Sequence, residues 1–210
     1  MAAESDAELH AVADEVRAHT RAIASRVTDD TLKDPFWTSR YGDRGRTRTE
    51  EDAAFHVEYF LQAFIARDAE IVRRYARWLQ TLLTSRGMCT AHIDENFARV
   101  GAAVLQAVPR AHAIDGYVKA ARAALLYASG APREVQSAVE RADPSVREHL
   151  HYLADALALD EPEVFASHIR FADAAPSLDT IALTIADDSR LSPDAKALAT
   201  TYIEHARKPS

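Results

Sequence analysis

The spacing of apolar residues constrains this 210-residue chain most strongly, because it follows the period of an α-helix almost throughout. No stretch alternates apolar and polar residues for long at the period of a β-strand. Only six glycines and eight prolines are present, and most fall between the helical segments. The pattern predicts an all-α bundle of eight or nine helices without a substantial sheet.

Two capping patterns predict where the first helices begin. Ser5 and Glu8 form a capping box ahead of a long apolar stripe. The run from Thr49 to Asp52 has the same character and precedes the clearest amphipathic stripe of the chain. The predicted organisation is therefore one helical domain, 1–210, with a first helix (5–28), a connection rich in arginine and aromatic residues (33–48) and a helical core (49–207).

Proline and glycine predict further helix boundaries. Asp143 followed by Pro144, and Ser192 followed by Pro193, each combine a capping side chain with proline at the first helical position. Gly87 follows a long apolar stripe, where a left-handed residue ends a helix at little cost. These positions predict helix starts near residues 144 and 193.

Composition excludes several classes of protein. The net charge of −7 argues against a protein that neutralises nucleic-acid phosphates over a broad surface. A single cysteine, Cys89, excludes an internal disulfide and a multi-cysteine metal site. There is no run of eighteen apolar residues and no apolar N-terminal segment typical of a signal peptide. We expect a cytoplasmic protein that contacts neither nucleic acid nor a membrane.

The sequence contains no motif that predicts catalysis. It lacks the GxSxG elbow, the P-loop, the dinucleotide glycine pattern and HExxH. A di-iron bundle needs Glu-x-x-His motifs on two facing helices, and such a pair is absent. We therefore predict no catalytic residues and no metal site, and we expect a binding protein, with an enzyme as the remaining alternative.

The most unusual segment is the predicted connection, which concentrates positive charge in an acidic protein. Its guanidinium groups could bind a carboxylate or phosphate, and its rings offer a stacking surface. The segment carries Arg40, Arg44, Arg46 and Arg48 among Phe36, Trp37 and Tyr41. It predicts a site for an anionic, planar small molecule. Alternatively, the arginines pair with surface acids while the aromatic residues anchor a long loop.

A polar stripe follows the connection on the next predicted helix. Asp52, His56 and Tyr59 are spaced three or four residues apart, so they share one face beside the apolar stripe. Polar groups beside a core indicate a pocket. The alternative is structural: Asp52 completes the helix cap, while His56 and Tyr59 are half-buried residues bonded to the backbone.

Two segments of the chain resemble each other without gaps. The first extends from His56 to Trp78 and the second from His149 to Phe171, each residue lying 93 positions after its counterpart. The shared positions are His56, Tyr59, Ala63, Glu70, Arg77 and Trp78, matched by His149, Tyr152, Ala156, Glu163, Arg170 and Phe171. The match indicates either an internal duplication or the chance similarity of alanine-rich amphipathic helices.

The run from Tyr41 to about Val104 resembles the phycobiliproteins, the bilin-carrying relatives of globins, and the globin-type modules beside cobalamin-binding domains in bacterial regulators. Arg44 with Gly45 matches an Arg-Gly pair of that family. Asp52 matches the aspartate that holds the bilin pyrrole nitrogens. The segments 69–83 and 90–104 resemble the two helices that follow. The resemblance implies a globin-like fold.

The resemblance also implies which pigments suit the chain. The family's bilin-attaching cysteine falls at Thr49, which excludes covalent attachment there, and Glu51 replaces an arginine of the family. Haem is the less favoured ligand, because the helix from Arg73 to Leu83 has no histidine to bind the iron. A noncovalently held bilin or other tetrapyrrole is the cofactor that the resemblance implies.

Together these features predict a non-enzymatic, globin-like binding or sensory protein that holds a tetrapyrrole noncovalently, or a relative that has lost it. The predicted cofactor-binding residues are Arg44, Arg46 and Arg48 for propionates, Asp52 for pyrrole N–H groups, and His56 and Tyr59 to line the ring. The alternative is a ligand-free helical interaction or regulatory module that binds a protein partner or a second copy of itself.

Overall fold

A computed structural model describes residues 5–172 and 177–208, except for the side chain of Asp43. This part of the chain contains eleven α-helices, one short 3-10 helix and no strand. The all-α prediction is confirmed, whereas the expected eight or nine helices are too few. The helices are α1 (Asp6–Thr31), α2 (Pro35–Tyr41), α3 (Asp43–Ala66), α4 (Ala69–Thr84), α5 (Thr90–Ala107), the 3-10 helix (Pro109–Ala111), α6 (Ile114–Ala124), α7 (Gly130–Val139), α8 (Pro144–Leu159), α9 (Pro162–Phe171), α10 (Leu178–Asp187) and α11 (Pro193–Ala206).

The contacts divide the chain into two compact units, where the sequence analysis treats 1–210 as one domain. Unit 1 comprises the described residues of Met1–Arg77 and Asp94–Ala124, and unit 2 those of Trp78–Ile93 and Leu125–Ser210. The helices α4 and α5 each contribute residues to both units. Each unit has its own apolar core, as the burial of its large side chains shows.

In unit 1 the long helix α1 packs against α3, and α3 also packs against α2 and α6. The capping box at Ser5 and Glu8 is present, as predicted. Helix α1 continues to Thr31 rather than ending at residue 28. The reason is that Thr28 is buried and its hydroxyl donates to the carbonyl of Ala24 at 2.9 Å, which satisfies it within the helix.

The predicted connection 33–48 is mostly helical, which corrects the sequence analysis. The Asp34 side chain caps α2 by accepting from the N–H of Phe36 at 2.9 Å, and Pro35 takes the first helical position. Gly42 has φ 59°, so it ends α2 in a conformation that favours glycine. Helix α3 therefore begins at Asp43, and Thr49 lies inside it, with its hydroxyl donating to the carbonyl of Gly45 at 2.8 Å.

In unit 2 the helix α8 packs against α7 and α9, while α11 packs against α7, α8 and α9. The predicted starts at Pro144 and Pro193 are confirmed, because Asp143 and Ser192 accept hydrogen bonds from backbone N–H groups of the first turns. Buried apolar side chains of α8, α9 and α11 form one core cluster. Among the described residues, no helix is both apolar enough and long enough to span a membrane.

Candidate functional site

Two of the predicted site residues, His56 and Tyr59, meet the same ring in unit 1. The Nδ1 atom of His56 lies 2.6 Å from the hydroxyl of Tyr75, within hydrogen-bond distance. The ring of Tyr59 stacks on the ring of Tyr75 with centroids 3.7 Å apart and an angle of 11°. Phe97 approaches His56 edge-on, with centroids 5.0 Å apart. Protein rings therefore occupy the space around His56.

Burial keeps this group of rings uncharged. The imidazole of His56 is 4% exposed, and burial lowers its pKa to about 3. Burial is also the main reason that the pKa of Tyr75 is raised, and the charge of Asp52 adds to it. A neutral imidazole and a protonated phenol can share a hydrogen bond over a wide pH range. The contact between His56 and Tyr75 is therefore a stable internal hydrogen bond.

The three predicted arginines lie on helix α3, and the structure does not bring them together around one hollow. Arg44 is exposed. Arg46 forms an ion pair with Asp29 of α1 at 2.9 Å, and Arg48 forms one with Glu51 at 2.8 Å. Because Arg46 and Arg48 reach different surface carboxylates, the paired-arginine alternative describes them better than the shared propionate site.

Asp52 is half-buried on α3 and does not cap a helix. Burial raises its pKa, the neighbouring charge of Glu51 adds to the increase, and Arg48 opposes it. Its charge also acts on Tyr75. Of the six predicted residues, His56 and Tyr59 thus contact Tyr75 and Asp52 acts on it through its charge, whereas the three arginines do not join this group.

The aromatic residues of the predicted connection pack on one another. Trp37 is 6% exposed, and its ring stacks on Tyr41 with centroids 5.7 Å apart. Phe36 contacts both rings edge-on. These side chains anchor helix α2 on unit 1, so the stacking surface expected for a planar ligand is already covered.

Unit 2 repeats the ring geometry at the positions that match in sequence. The Nδ1 atom of His149 lies 2.8 Å from Nε2 of His168, so one imidazole N–H donates to the other ring. The ring of Tyr152 stacks on His168 with centroids 3.6 Å apart and an angle of 8°. His168 thus takes the role that Tyr75 has in unit 1, at the same spacing of nineteen residues from the partner histidine.

The helix ends between these ring partners also match. Arg67 after α3 and Asp160 after α8 are the two non-glycine residues with positive φ in the described chain, at 53° and 56°. In both places the next backbone N–H donates at 3.0 Å to a buried alanine carbonyl, that of Ala63 or Ala156. The two segments therefore form a structural repeat in which the ring contacts and the helix end recur 93 residues apart.

The repeat also places matching side chains on the surface. Glu70 accepts a hydrogen bond from Arg77 at 2.7 Å on α4, and Glu163 accepts one from Arg170 on α9. Next to each arginine stands an exposed aromatic residue. We call these sets the α4 stripe, formed by Glu70, Arg74, Arg77 and Trp78, and the α9 stripe, formed by Glu163, Ser167, Arg170 and Phe171.

A buried carboxylate that the sequence did not predict, Asp155, holds several groups of unit 2 together. Asp155 accepts hydrogen bonds from the backbone N–H of Thr90 at 2.7 Å, from the Thr90 hydroxyl at 2.6 Å and from the Tyr127 hydroxyl at 2.5 Å. It therefore caps helix α5 from 65 residues away. Burial raises the pKa of Asp155 to about 6, although these hydrogen bonds oppose the increase.

The residues missed around His56 carry only a weak sequence signal. Tyr75 and Phe97 read as apolar-stripe residues, and the nineteen-residue spacing becomes visible only when the two similar segments are compared. For Asp155 the sequence offers no signal, because its partners are remote. Among the described residues, no group of three or more histidine, cysteine or carboxylate side chains could hold a metal ion.

Compared with models of protein families, with curated proteins and with solved structures, the chain matches none. The resemblance to phycobiliproteins and globin-type modules therefore stays a prediction. A tetrapyrrole beside His56 would have to displace Tyr75 or Phe97, both of which contact that ring.

Proposed function

We propose that the chain is a helical protein-interaction module in which the α4 stripe and the α9 stripe each form a binding surface of their own. The observation that carries the proposal is the repetition of an exposed aromatic residue beside an Arg–Glu pair. Trp78 is 57% exposed and Phe171 is 39% exposed, at equivalent positions of the repeat. A single exposed aromatic residue is ordinary on a protein surface. An exposed aromatic residue that recurs beside the same ion pair at equivalent positions of a repeat indicates a binding function.

The residue types of the stripes suit protein recognition. Tryptophan and arginine supply a large share of the binding energy at protein interfaces, and phenylalanine is also enriched there. In the α4 stripe, Arg77 is held by Glu70 at 2.7 Å, so its guanidinium group is positioned before a partner arrives. An ordered arginine beside an exposed ring binds at a lower entropic cost than a free side chain.

The filled interior supports a surface role. His56 contacts Tyr75 and Phe97, and in unit 2 His168 contacts His149 and Tyr152. In both copies of the repeat these rings fill the space beside the buried histidine, so a ligand could enter that space only if the rings moved.

Selection from a displayed library of random peptides tests the interaction role with the purified full-length chain. We expect enriched peptides whose affinity falls at least about tenfold with Trp78→Ala or Phe171→Ala, as for an interface anchor. The matched control is Phe55→Ala, which removes a ring that is 63% exposed on α3, outside both stripes. Peptides that bind all three variants as tightly as the wild type, or a selection without enrichment, contradict the proposal.

The second candidate function is noncovalent tetrapyrrole binding, as the family resemblance implies. The observation in its favour is that Asp52 and Tyr59 are only half-buried, while the charge of Asp52 acts on Tyr75 and the ring of Tyr59 stacks on it. A pigment there would depend on the Asp52 carboxylate, so Asp52→Asn would weaken its binding. This role requires that the rings around His56 move, which the interaction role does not.

A further inference from the structure

The α4 stripe differs from the α9 stripe in its charge. Three guanidinium groups surround one carboxylate on α4: Glu70 lies 2.7 Å from Arg77, 3.5 Å from Arg74 and 3.8 Å from Arg73. Arg77 makes the shortest contact. Arg73 and Arg74 stand farther away, and the side chain of Arg74 is 79% exposed.

The equivalent positions of α9 lack this excess of positive charge. Arg73 and Arg74 correspond to Ala166 and Ser167, 93 positions later. Glu163 on α9 pairs with Arg170 and lies 3.4 Å from the ring of His205. The repeat therefore keeps one Arg–Glu pair in both copies, and the α4 copy alone adds two more arginines.

This local excess of positive charge stands out because the net charge of the whole chain is −7. Exposed guanidinium groups bind carboxylates in a bidentate way, and opposite charges across an interface select the partner and speed its approach. Trp78 is one residue beyond Arg77 on the same helix, so a partner that reaches the arginines also meets an apolar ring.

We infer that the α4 stripe, with Arg73, binds an acidic segment of a partner protein that places carboxylates on Arg73 and Arg74 and an apolar side chain on Trp78. This inference rests on the proposed interaction role and names its partner chemistry. An acidic peptide suits the surface better than a nucleic acid, because it needs to place only a few carboxylates on the arginines, whereas the net charge of −7 opposes a continuous run of phosphates.

The test uses a labelled, capped peptide of glutamates around a central leucine, and the same peptide with glutamine in place of glutamate. Fluorescence anisotropy gives the affinity. Quenching by acrylamide reports on Trp78, which is 57% exposed, whereas Trp37 is 6% exposed. We expect the glutamate peptide to bind more tightly than the glutamine peptide, to lose affinity with added salt and to protect Trp78 from the quencher.

The decisive variant is the double substitution Arg73→Gln with Arg74→Gln, which should weaken binding of the glutamate peptide about tenfold. The matched control is Arg21→Gln with Arg26→Gln, which removes two exposed arginines from α1 and the same total charge. We expect this control to change the affinity less than about twofold, since it acts only through distant charge.

Several outcomes overturn the inference, and each is distinct from failure of the interaction role. Equal loss of affinity in the two double variants, or equal binding of both peptides, contradicts an acidic partner. A single-stranded oligonucleotide that displaces the peptide and needs Arg73 and Arg74 would assign the surface to nucleic acid. The interaction role itself fails when library-selected peptides bind both Trp78→Ala and Phe171→Ala as tightly as the wild type.

Discussion

The Nδ1 atom of His56 lies 2.6 Å from the hydroxyl oxygen of Tyr75, and this contact joins α3 to α4 within unit 1. The same spacing of nineteen residues joins His149 to His168 in unit 2, where the two nitrogens are 2.8 Å apart. A stacked tyrosine covers the second ring in both cases. The two units are thus organised around the same internal contact with different chemical groups.

Replacing Tyr75 by phenylalanine should destabilise the protein by about 1–3 kcal/mol, because the buried Nδ1 of His56 loses its partner. Tyr59→Phe is the matched control, since a phenyl ring keeps the stacking and the hydroxyl removed is on a half-buried residue. We expect the control to change stability by less than about 0.5 kcal/mol. Urea unfolding measures both free energies, and equal values for the two variants would show that the hydrogen bond contributes nothing.

The buried histidine should make the stability depend on pH. Burial lowers the pKa of His56 to about 3 from its ordinary value of 6.5, so the unfolded chain takes up the proton first. The free energy of unfolding should therefore fall as the pH falls from 6.5 towards 3, by up to about 1.4 kcal/mol per pH unit.

Unfolding of His56→Gln over this pH range checks the assignment. We expect a shallower loss of stability on acidification than in the wild type, because the ionisable ring is gone. His149→Gln should show a smaller change, since the pKa of His149 is also lowered by burial but its ring is less buried. Stability curves that run parallel for His56→Gln and the wild type would contradict this account.

Asp155 should have the opposite effect on the pH dependence of stability. Burial raises its pKa to about 6 from 3.8, so the folded state binds the proton more tightly and gains stability as the pH falls through this range. Asp155→Asn cannot titrate, and its single amide oxygen cannot accept all three of the hydrogen bonds that Asp155 accepts from Thr90 and Tyr127.

We expect Asp155→Asn to lower stability by about 1–3 kcal/mol at neutral pH, because a buried donor is left without an acceptor. The deficit relative to the wild type should grow as the pH falls from 6 towards 4, where the wild type gains its proton. Denaturant unfolding at several pH values measures this deficit. A deficit that shrinks on acidification would contradict the raised pKa.

The left-handed residue between α3 and α4 gives a backbone test. Arg67 has φ 53°, so Arg67→Gly should be more stable than Arg67→Ala by about 1 kcal/mol, since both lose the exposed ion pair with Asp6 and only glycine relieves the backbone. At Gln62 inside α3 the order should reverse, with glycine less stable than alanine by about 1 kcal/mol. Thermal or urea unfolding measures the stability of the four variants. If glycine and alanine rank in the same order at both positions, the left-handed conformation of Arg67 is contradicted.

The sequence predicts local features of this fold well. The helical period identifies the fold class, and the caps at Ser5, Asp143 and Ser192 form as expected because each cap and its N–H partner lie within three residues. Helix α2 and the early start of α3 escape prediction because glycines at 42 and 45 suggest a loop. In the structure, a Cβ at Gly45 would lie 3.1 Å from the Cβ of Tyr41, so this glycine permits the close packing of α2 on α3.

The candidate site is harder to predict because its contacts are long-range. The polar stripe with His56 and Tyr59 is visible in the sequence, but Tyr75, nineteen residues later, decides that the stripe faces a ring rather than a pocket. Likewise, the partner of Thr90 is 65 residues away at Asp155. The arginines at 44, 46 and 48 suggest one cluster if their segment is a loop. In the helix α3, Arg46 and Arg48 instead pair with different carboxylates.

Absorption spectroscopy of the purified full-length chain mixed with biliverdin, phycocyanobilin or haem tests most directly whether the protein acts through its surface. Because Tyr75 and Phe97 already contact His56, we predict that each spectrum equals the sum of the free pigment and the protein. A shifted, saturable band that disappears in both Asp52→Asn and His56→Gln would contradict the account and assign the interior of unit 1 to a pigment.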